Sequence, residues 1–278
     1  MSIIHGEPLI YYINSDNRTN TNDMSSSFSM KIEMPVNHNY DHMCLLNASI
    51  PKSYYMIEKG YNTFYIQELG ISYLVSLNIG NYSKNIWLTE IARALNAATS
   101  HNALWVYTVG FNTIIGKIIY SVSGNTGQPA IITNSNVYEQ LGLSKNATTP
   151  FTANTLISTN VMKLQLEDCL KIVCDGVSSS IANNSGILQD VLVNTLDYSA
   201  ITFQQYSIDL NSRRLQPTRN NVFRFSICNE NLRVIDLNGL NVNYTVLFYK
   251  KDDTSLIHKE FIKIKTLEKL NNNDQSQN

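Results

Sequence analysis

Charge is scarce in this sequence. Only 15% of its 278 residues are charged, and 21 basic against 22 acidic residues leave a formal net charge of -1. A chain so balanced lacks the positive field needed to neutralise many phosphates, which argues against nucleic acid as a partner and against genome packaging as the main task. The surface must instead be polar through uncharged Asn, Ser, Thr and Tyr side chains. Such a surface offers little repulsion between copies and suits dense self-association; an AT-rich genome is the alternative source of the same Asn-rich composition.

Long apolar runs are missing as well. No window approaches 18 unbroken apolar residues, and the opening MSIIHGEPLIYYINSDNRTN has neither a basic leader nor a long apolar segment. The expectation is a soluble, unsecreted protein with no membrane span, in which triplets such as Asn47-Ala48-Ser49 are chance rather than glycosylation sites. Cys44, Cys169, Cys174 and Cys228 are scattered, and their closest spacing, C-x4-C, has no histidine nearby to complete a zinc set, so they read as buried thiols. His5, His38, His42, His101 and His258 fall in no metal-binding frame. The nearest approach, His38-Asn39-Tyr40-Asp41-His42, reads as a solvated loop between strands. Nucleophile elbow, phosphate loop and dinucleotide fingerprint are all absent, and Gly124-Asn125-Thr126-Gly127 reads as a hairpin turn. A glycosidase carboxylate pair depends on separation in space, which sequence does not fix, and is the weaker expectation. No catalytic residue, metal site or cofactor is expected, and the chain is not read as an enzyme. A cupin-like metalloenzyme would need histidines that this chain does not group together.

What is present is mostly strand pattern. Phe28, Met30, Ile32 and Met34 alternate with Ser29, Lys31 and Glu33, the period-two signature of a half-buried strand stopped by Pro35. Residues 43–50 form an apolar strand closed by Pro51, and residues 62–68 and 71–79 pair across Leu69-Gly70. The pattern then changes. Thr89 is a plausible N-cap for a helix over residues 89–99, with Ile91, Ala92, Leu95 and Ala98 at helical spacing. Strands over 103–109, 113–123 and 130–133 and a short helix over 136–141 ending at Gly142 complete an α+β block. Strands return at 164–173, 187–192, 203–210, 222–228 and 244–249, with a further short strand between Asn229 and the turn at Gly239.

The boundaries expected from this pass are an N-terminal arm over residues 1–22, a discontinuous β domain over 23–81 and 149–255, an insertion over 82–148 and an extension over 256–278. The fold class is all-β: a two-sheet β-sandwich of about eight strands with an edge extension and a small α+β insertion domain, which the resemblance given below makes a single jelly-roll β-sandwich. In the extension, Lys250, Lys251, Lys259, Lys263, Lys265 and Lys269 are nearly cancelled by Asp252, Asp253, Glu260 and Glu268. That pattern reads as a solvated face, with contact to DNA or an acidic neighbour as the functional alternative. Phe261, Ile262, Ile264, Leu267 and Leu270 are closer to helical than to strand spacing and could dock on a partner. Ile10, Tyr11, Tyr12 and Ile13, isolated by a polar run, and the pair Tyr54 and Tyr55 are the candidate subunit-interface residues, because tyrosine supplies large contact area with a polar handle.

Three pieces resemble the penton, or minor capsid, proteins of virophages and polinton-like double-stranded DNA viruses. The first is Ser25-Ser26-Ser27-Phe28-Ser29-Met30 followed by Met43-Cys44-Leu45-Leu46-Asn47-Ala48-Ser49-Ile50-Pro51-Lys52-Ser53-Tyr54-Tyr55. The second is Leu95-Asn96-Ala97 with Leu141-Gly142-Leu143; the third is Ile227-Cys228-Asn229, Asp236-Leu237-Asn238-Gly239 and Val246-Leu247-Phe248-Tyr249. The likeness spans roughly residues 10–250. It implies a single jelly roll with an insertion on the outer surface, forming homopentamers at the vertices of an icosahedral virion. The implied partners are further copies of the chain, the surrounding major capsid protein and other minor capsid proteins, after synthesis in the host cytoplasm. A β-sandwich module that attaches to a host receptor or glycan is the alternative reading.

Overall fold

The computed structural model describes residues 4–35, 39–98, 104–165, 167–178, 186–216 and 218–251. The expected 256–278 extension, and His38, His101 and His258, lie outside them. The chain begins with β1 (Ile4–Asn14), β2 (Ser27–Lys31) and β3 (His42–Pro51). It then passes into β4 (Thr63–Glu68), β5 (Ile71–Ser76), α1 (Lys84–Ala98), β6 (Val106–Asn112), β7 (Lys117–Ser123), β8 (Ala130–Ile132), β9 (Thr148–Pro150) and β10 (Thr155–Ile157). After these come β11 (Cys169–Cys174), β12 (Ile187–Leu192), β13 (Ala200–Gln204), the short α2 (Ile208–Asn211), β14 (Arg213–Arg214), β15 (Val222–Cys228) and β16 (Asn243–Lys251). Two compact units result: residues 1–53 with 167–278, and residues 54–166.

The first unit holds two antiparallel sheets. One runs β1-β16-β3-β13, with β14 a short addition beside β3; the other runs β12-β11-β15-β2. Taken in chain order, the main strands alternate between the sheets except at the β11-β12 hairpin, which is the strand order of a jelly roll. The period-two residues explain why the sheets pair. Phe28 on β2 and Phe225 on β15 meet Tyr244 on β16 at ring-centroid distances of 6.4 and 5.9 Å, and Phe223 meets Phe248 at 5.6 Å. Their neighbours Ser29 and Arg224 point the other way, as a pleated strand requires. Replacing Phe225 with Ala should therefore cost about 3–5 kcal/mol of stability, read as a shift of the denaturation midpoint. A loss below 1 kcal/mol would show that this layer is not the core.

The second unit joins the sheet β5-β4-β8-β9, the sheet β10-β7-β6 and α1 around one core. Phe64, Ile66, Val75 and Leu77 come from the first sheet, Tyr107, Ile118, Tyr120 and Val122 from the second, and Trp87, Ile91 and Leu95 from the helix. Two of its buried aromatic side chains are hydrogen-bonded to backbone carbonyls: Trp87 Nε1 donates to the Gln140 carbonyl at 2.9 Å and Tyr120 Oη to that of Leu141 at 2.7 Å. The Asn96 amide both donates to and accepts from the Tyr107 backbone, fastening α1 to β6.

Several expectations need correction. Residues 4–14 are not an arm but an edge strand paired to β16 from Ile4↔Lys251 to Asn14↔Asn243. The strands at 63–68 and 71–76 belong to the second unit, so this unit begins at residue 54 rather than 82 and continues to 166 rather than 148. Period two reveals that one face is buried, but not against which core. The helix starts at Lys84, a turn early: Ser83 already accepts the Trp87 amide, and Thr89 sits inside the helix with its hydroxyl on the Asn85 carbonyl. Residues 136–141 make hydrogen-bonded turns instead of a helix. They end as expected at Gly142, whose positive φ lets its own amide and that of Leu143 reach back to Glu139 and Tyr138. The expected strand at 203–210 is split between β13 and α2, and 229–239 contributes only a bridge between Cys228 and Val234.

One ionic contact ties α1 to the β5 exit. Burial alone would raise the Glu90 pKa, but hydrogen bonds from Arg93 and Asn78 outweigh it and hold the carboxyl below its usual range. A lowered carboxyl pKa adds stability above the unfolded value of about 4.3, and that stability disappears as pH falls through the folded value. Glu90→Gln should cost about 1–2 kcal/mol at pH 7, since Arg93 stays half in water, and should flatten the acid-side loss. Both tryptophans, Trp87 and Trp105, lie in this unit, so fluorescence-detected unfolding at pH 7 and pH 4 checks it. An unchanged acid slope would refute it.

Candidate assembly surface

The six expected interface residues separate by environment. On β1, Ile10 and Tyr12 share the outward face and are 47% and 79% exposed, whereas Ile13 is 2% exposed in the core and Tyr11 is half-buried. Tyr54, at 3%, is also buried, and Tyr55 is half-buried; both belong to the second unit. Ile13 and Tyr54 are thus occupied inside their own chain and are not interface side chains in this structure.

The register shows why Ile10 and Tyr12 are open. Ile10 stands beside Leu247, which stands beside Cys44, and Tyr12 beside Thr245 and Asn47. Toward β3 this face is covered: Cys44, Leu247 and Tyr249 are buried with Leu46 and Ile208 packed on them. Toward β1 the cover stops. Burial pushes the Cys44 thiol up to about 11, and Cys174, Cys228 and Cys169 are raised as well, burial again the main cause. All four are free thiols, with Cys169 only partly buried. Among the described residues no group of three or more His, Cys, Asp and Glu is placed to hold a metal. His42 Nδ1 lies 2.7 Å from Asp41 Oδ1, which also accepts the Lys251 amide at 2.8 Å, so this pair ties β3 to the end of β16.

A second exposed patch escaped the sequence reading. The β12–β13 connection carries Leu196 at 81% and Tyr198 at 76% exposure, beside the exposed Leu192. Lys52, at the exit of β3, ties it down. Lys52 donates its amide to Ser199 at 2.9 Å and accepts the Tyr198 amide at 2.9 Å, while its buried Nζ donates to the Thr195 carbonyl at 2.8 Å and pairs with Asp197 at 3.2 Å. Tyr198 itself adopts φ 64, a conformation disfavoured for a bulky side chain. Four contacts from Lys52 thus leave a strained backbone presenting two large apolar groups to water. The only local signal was apolar residues standing in a turn-rich stretch; the anchor Lys52 lies far away in sequence.

Lys52→Met keeps the aliphatic stem and both backbone bonds but loses the ammonium. It should cost about 1–2 kcal/mol and speed amide exchange across residues 195–199, seen by hydrogen-exchange mass spectrometry. Unchanged exchange in the loop would remove Lys52 as its anchor.

No family model matches the chain, and no curated protein matches it. Among solved structures, the crystal structure of the mavirus penton protein aligns over 89% of this chain and 100% of that chain, with a TM-score of 0.50 and 10% identity. A chain of the Sputnik virophage cryo-EM structure aligns over 88% of this chain and 98% of its own, with a TM-score of 0.44 and 14% identity. Two antiparallel sheets in jelly-roll order, interrupted between β3 and β11 by a second unit, therefore make up a fold that this chain shares with the mavirus penton protein.

Proposed function

We propose that the chain is a structural protein of a virus shell, a penton subunit that forms homopentamers at icosahedral vertices and contacts the surrounding major capsid protein. The observation that carries this reading is the fold shared with a penton protein across the whole of that protein's length. The exposed patch on the Lys52-anchored loop supports it, because a monomer gains nothing from holding Leu196 and Tyr198 rigidly in water. Ile10 and Tyr12 on the outer face of β1 provide a second apolar contact. The low charge of the surface agrees with close packing between copies. Function then follows from buried interface area and from no chemical step.

Native mass spectrometry of the recombinant chain should find five copies of the 31.4 kDa protein, and particle imaging should find them on five-fold axes. Tyr198→Asn keeps a residue that tolerates the left-handed backbone and deletes the ring. It should leave the monomer folded and weaken pentamer formation about 30-fold, the equivalent of roughly 2 kcal/mol at a central contact. A chain that remains monomeric or trimeric at high concentration and never enters particles would overturn the reading.

A further inference from the structure

The β6–β7 hairpin of the second unit ends in an apolar tip. Ile114 is 92% exposed there, Ile115 and Val161 are exposed as well, and none of the three belongs to the core of the unit. Val161 lies against the tip, since a Cβ at Gly116 would come within 3.2 Å of its Cγ1. The turn itself is well bonded. The Gly116 amide, at φ 69, donates to the Asn112 carbonyl at 2.9 Å, and Asn112 Oδ1 accepts the amides of Ile114 at 3.0 Å and Ile115 at 3.4 Å. Three backbone donors are therefore satisfied inside the hairpin, which removes much of the cost of taking its tip out of water.

The charges that the hairpin and its neighbours bring to this tip are cationic. Residues 104–138 carry a single charged side chain, Lys117, which pairs with Asn112 at the base of the turn and donates from Nζ to the Thr159 carbonyl at 2.9 Å. Lys84 Nζ lies 4.8 Å from the centre of the Phe111 ring, one position back along β6. Over residues 104–165 the sequence holds one carboxylate, Glu139, which accepts the Tyr138 hydroxyl at 3.1 Å. Aliphatic groups at the point, ammonium groups a step behind and amides closed off internally match an anionic bilayer surface. Such a surface takes in an apolar tip without shape complementarity and attracts the lysines. A protein partner would need roughly 800 Å² from each side of a standard interface, more than three aliphatic side chains supply. We propose that this hairpin docks on anionic lipid, with Ile114, Ile115 and Val161 entering the bilayer interface and Lys84 and Lys117 meeting headgroup phosphates. The contact uses the second unit alone and needs no further copy of the chain.

Co-flotation of the full-length chain with vesicles of phosphatidylcholine and phosphatidylserine tests it. Wild type should float with them, and the double variant Ile114→Ser, Ile115→Ser should bind about tenfold more weakly or worse. Lys84→Gln with Lys117→Gln should lose about fivefold per ammonium on these vesicles and nothing on phosphatidylcholine alone. Native mass and tryptophan-detected melting should be the same for all three proteins, so a failure to float is distinct from a failure to form pentamers. Wild type that stays unbound, or a serine variant that floats equally well, would overturn the proposal. So would a protein ligand that grips the tip of a chain indifferent to vesicles.

Discussion

The first unit depends on where its last strand goes. β16 lies between β1 and β3, joining residues that the chain separates by more than two hundred positions: Ile4 pairs with Lys251, and Asn14 with Asn243. Both of its faces are buried. Tyr244, Val246 and Phe248 fill the space between the sheets, while Leu247 and Tyr249 close the outer cluster with Cys44. Until β16 arrives, β1 has no partner and the aromatic layer has only one side. Pairing across such a span pays its loop-closure entropy before any contact rewards it, so assembly of this unit is a late, cooperative event. The second unit sits inside one connection of that topology and has a core of its own, so it need not wait.

This asymmetry explains what was legible in the sequence. Strands whose alternation is strict, β2 and β15, could be read directly, because Phe28, Met30, Phe223 and Phe225 mark a buried face whatever it packs against. β1 could not, since Leu9 through Ile13 are apolar in succession and the strand is defined only by β16, which lies at the other end of the chain. The same limit misplaced the boundary between the units. Phe64, Ile66 and Val75 announce strands, and nothing local says that their partners are Trp87 and Tyr120 rather than Phe225. Of the candidate interface residues, the structure exposes Ile10 and Tyr12 and consumes Ile13 and Tyr54 inside the chain itself, a difference that the apolar run does not announce.

The exposed loop at residues 195–199 was not legible in the sequence at all. Its signal is a relation, not a motif: a lysine at the exit of β3 whose amide, carbonyl and ammonium all engage a connection nearly a hundred and fifty residues away. Lys52 is buried yet keeps its charge matched by Asp197, an arrangement that costs desolvation and returns it only through geometry. Tyr198 adds backbone strain of order 1 kcal/mol while its ring remains in water. Within a single copy neither cost is offset by burial of the side chains they position. Both are offset if Leu196 and Tyr198 are covered by another molecule, because a contact whose conformation is already fixed loses less entropy on association than a flexible one. The proposed assembly would thus account for both the strain and the buried lysine.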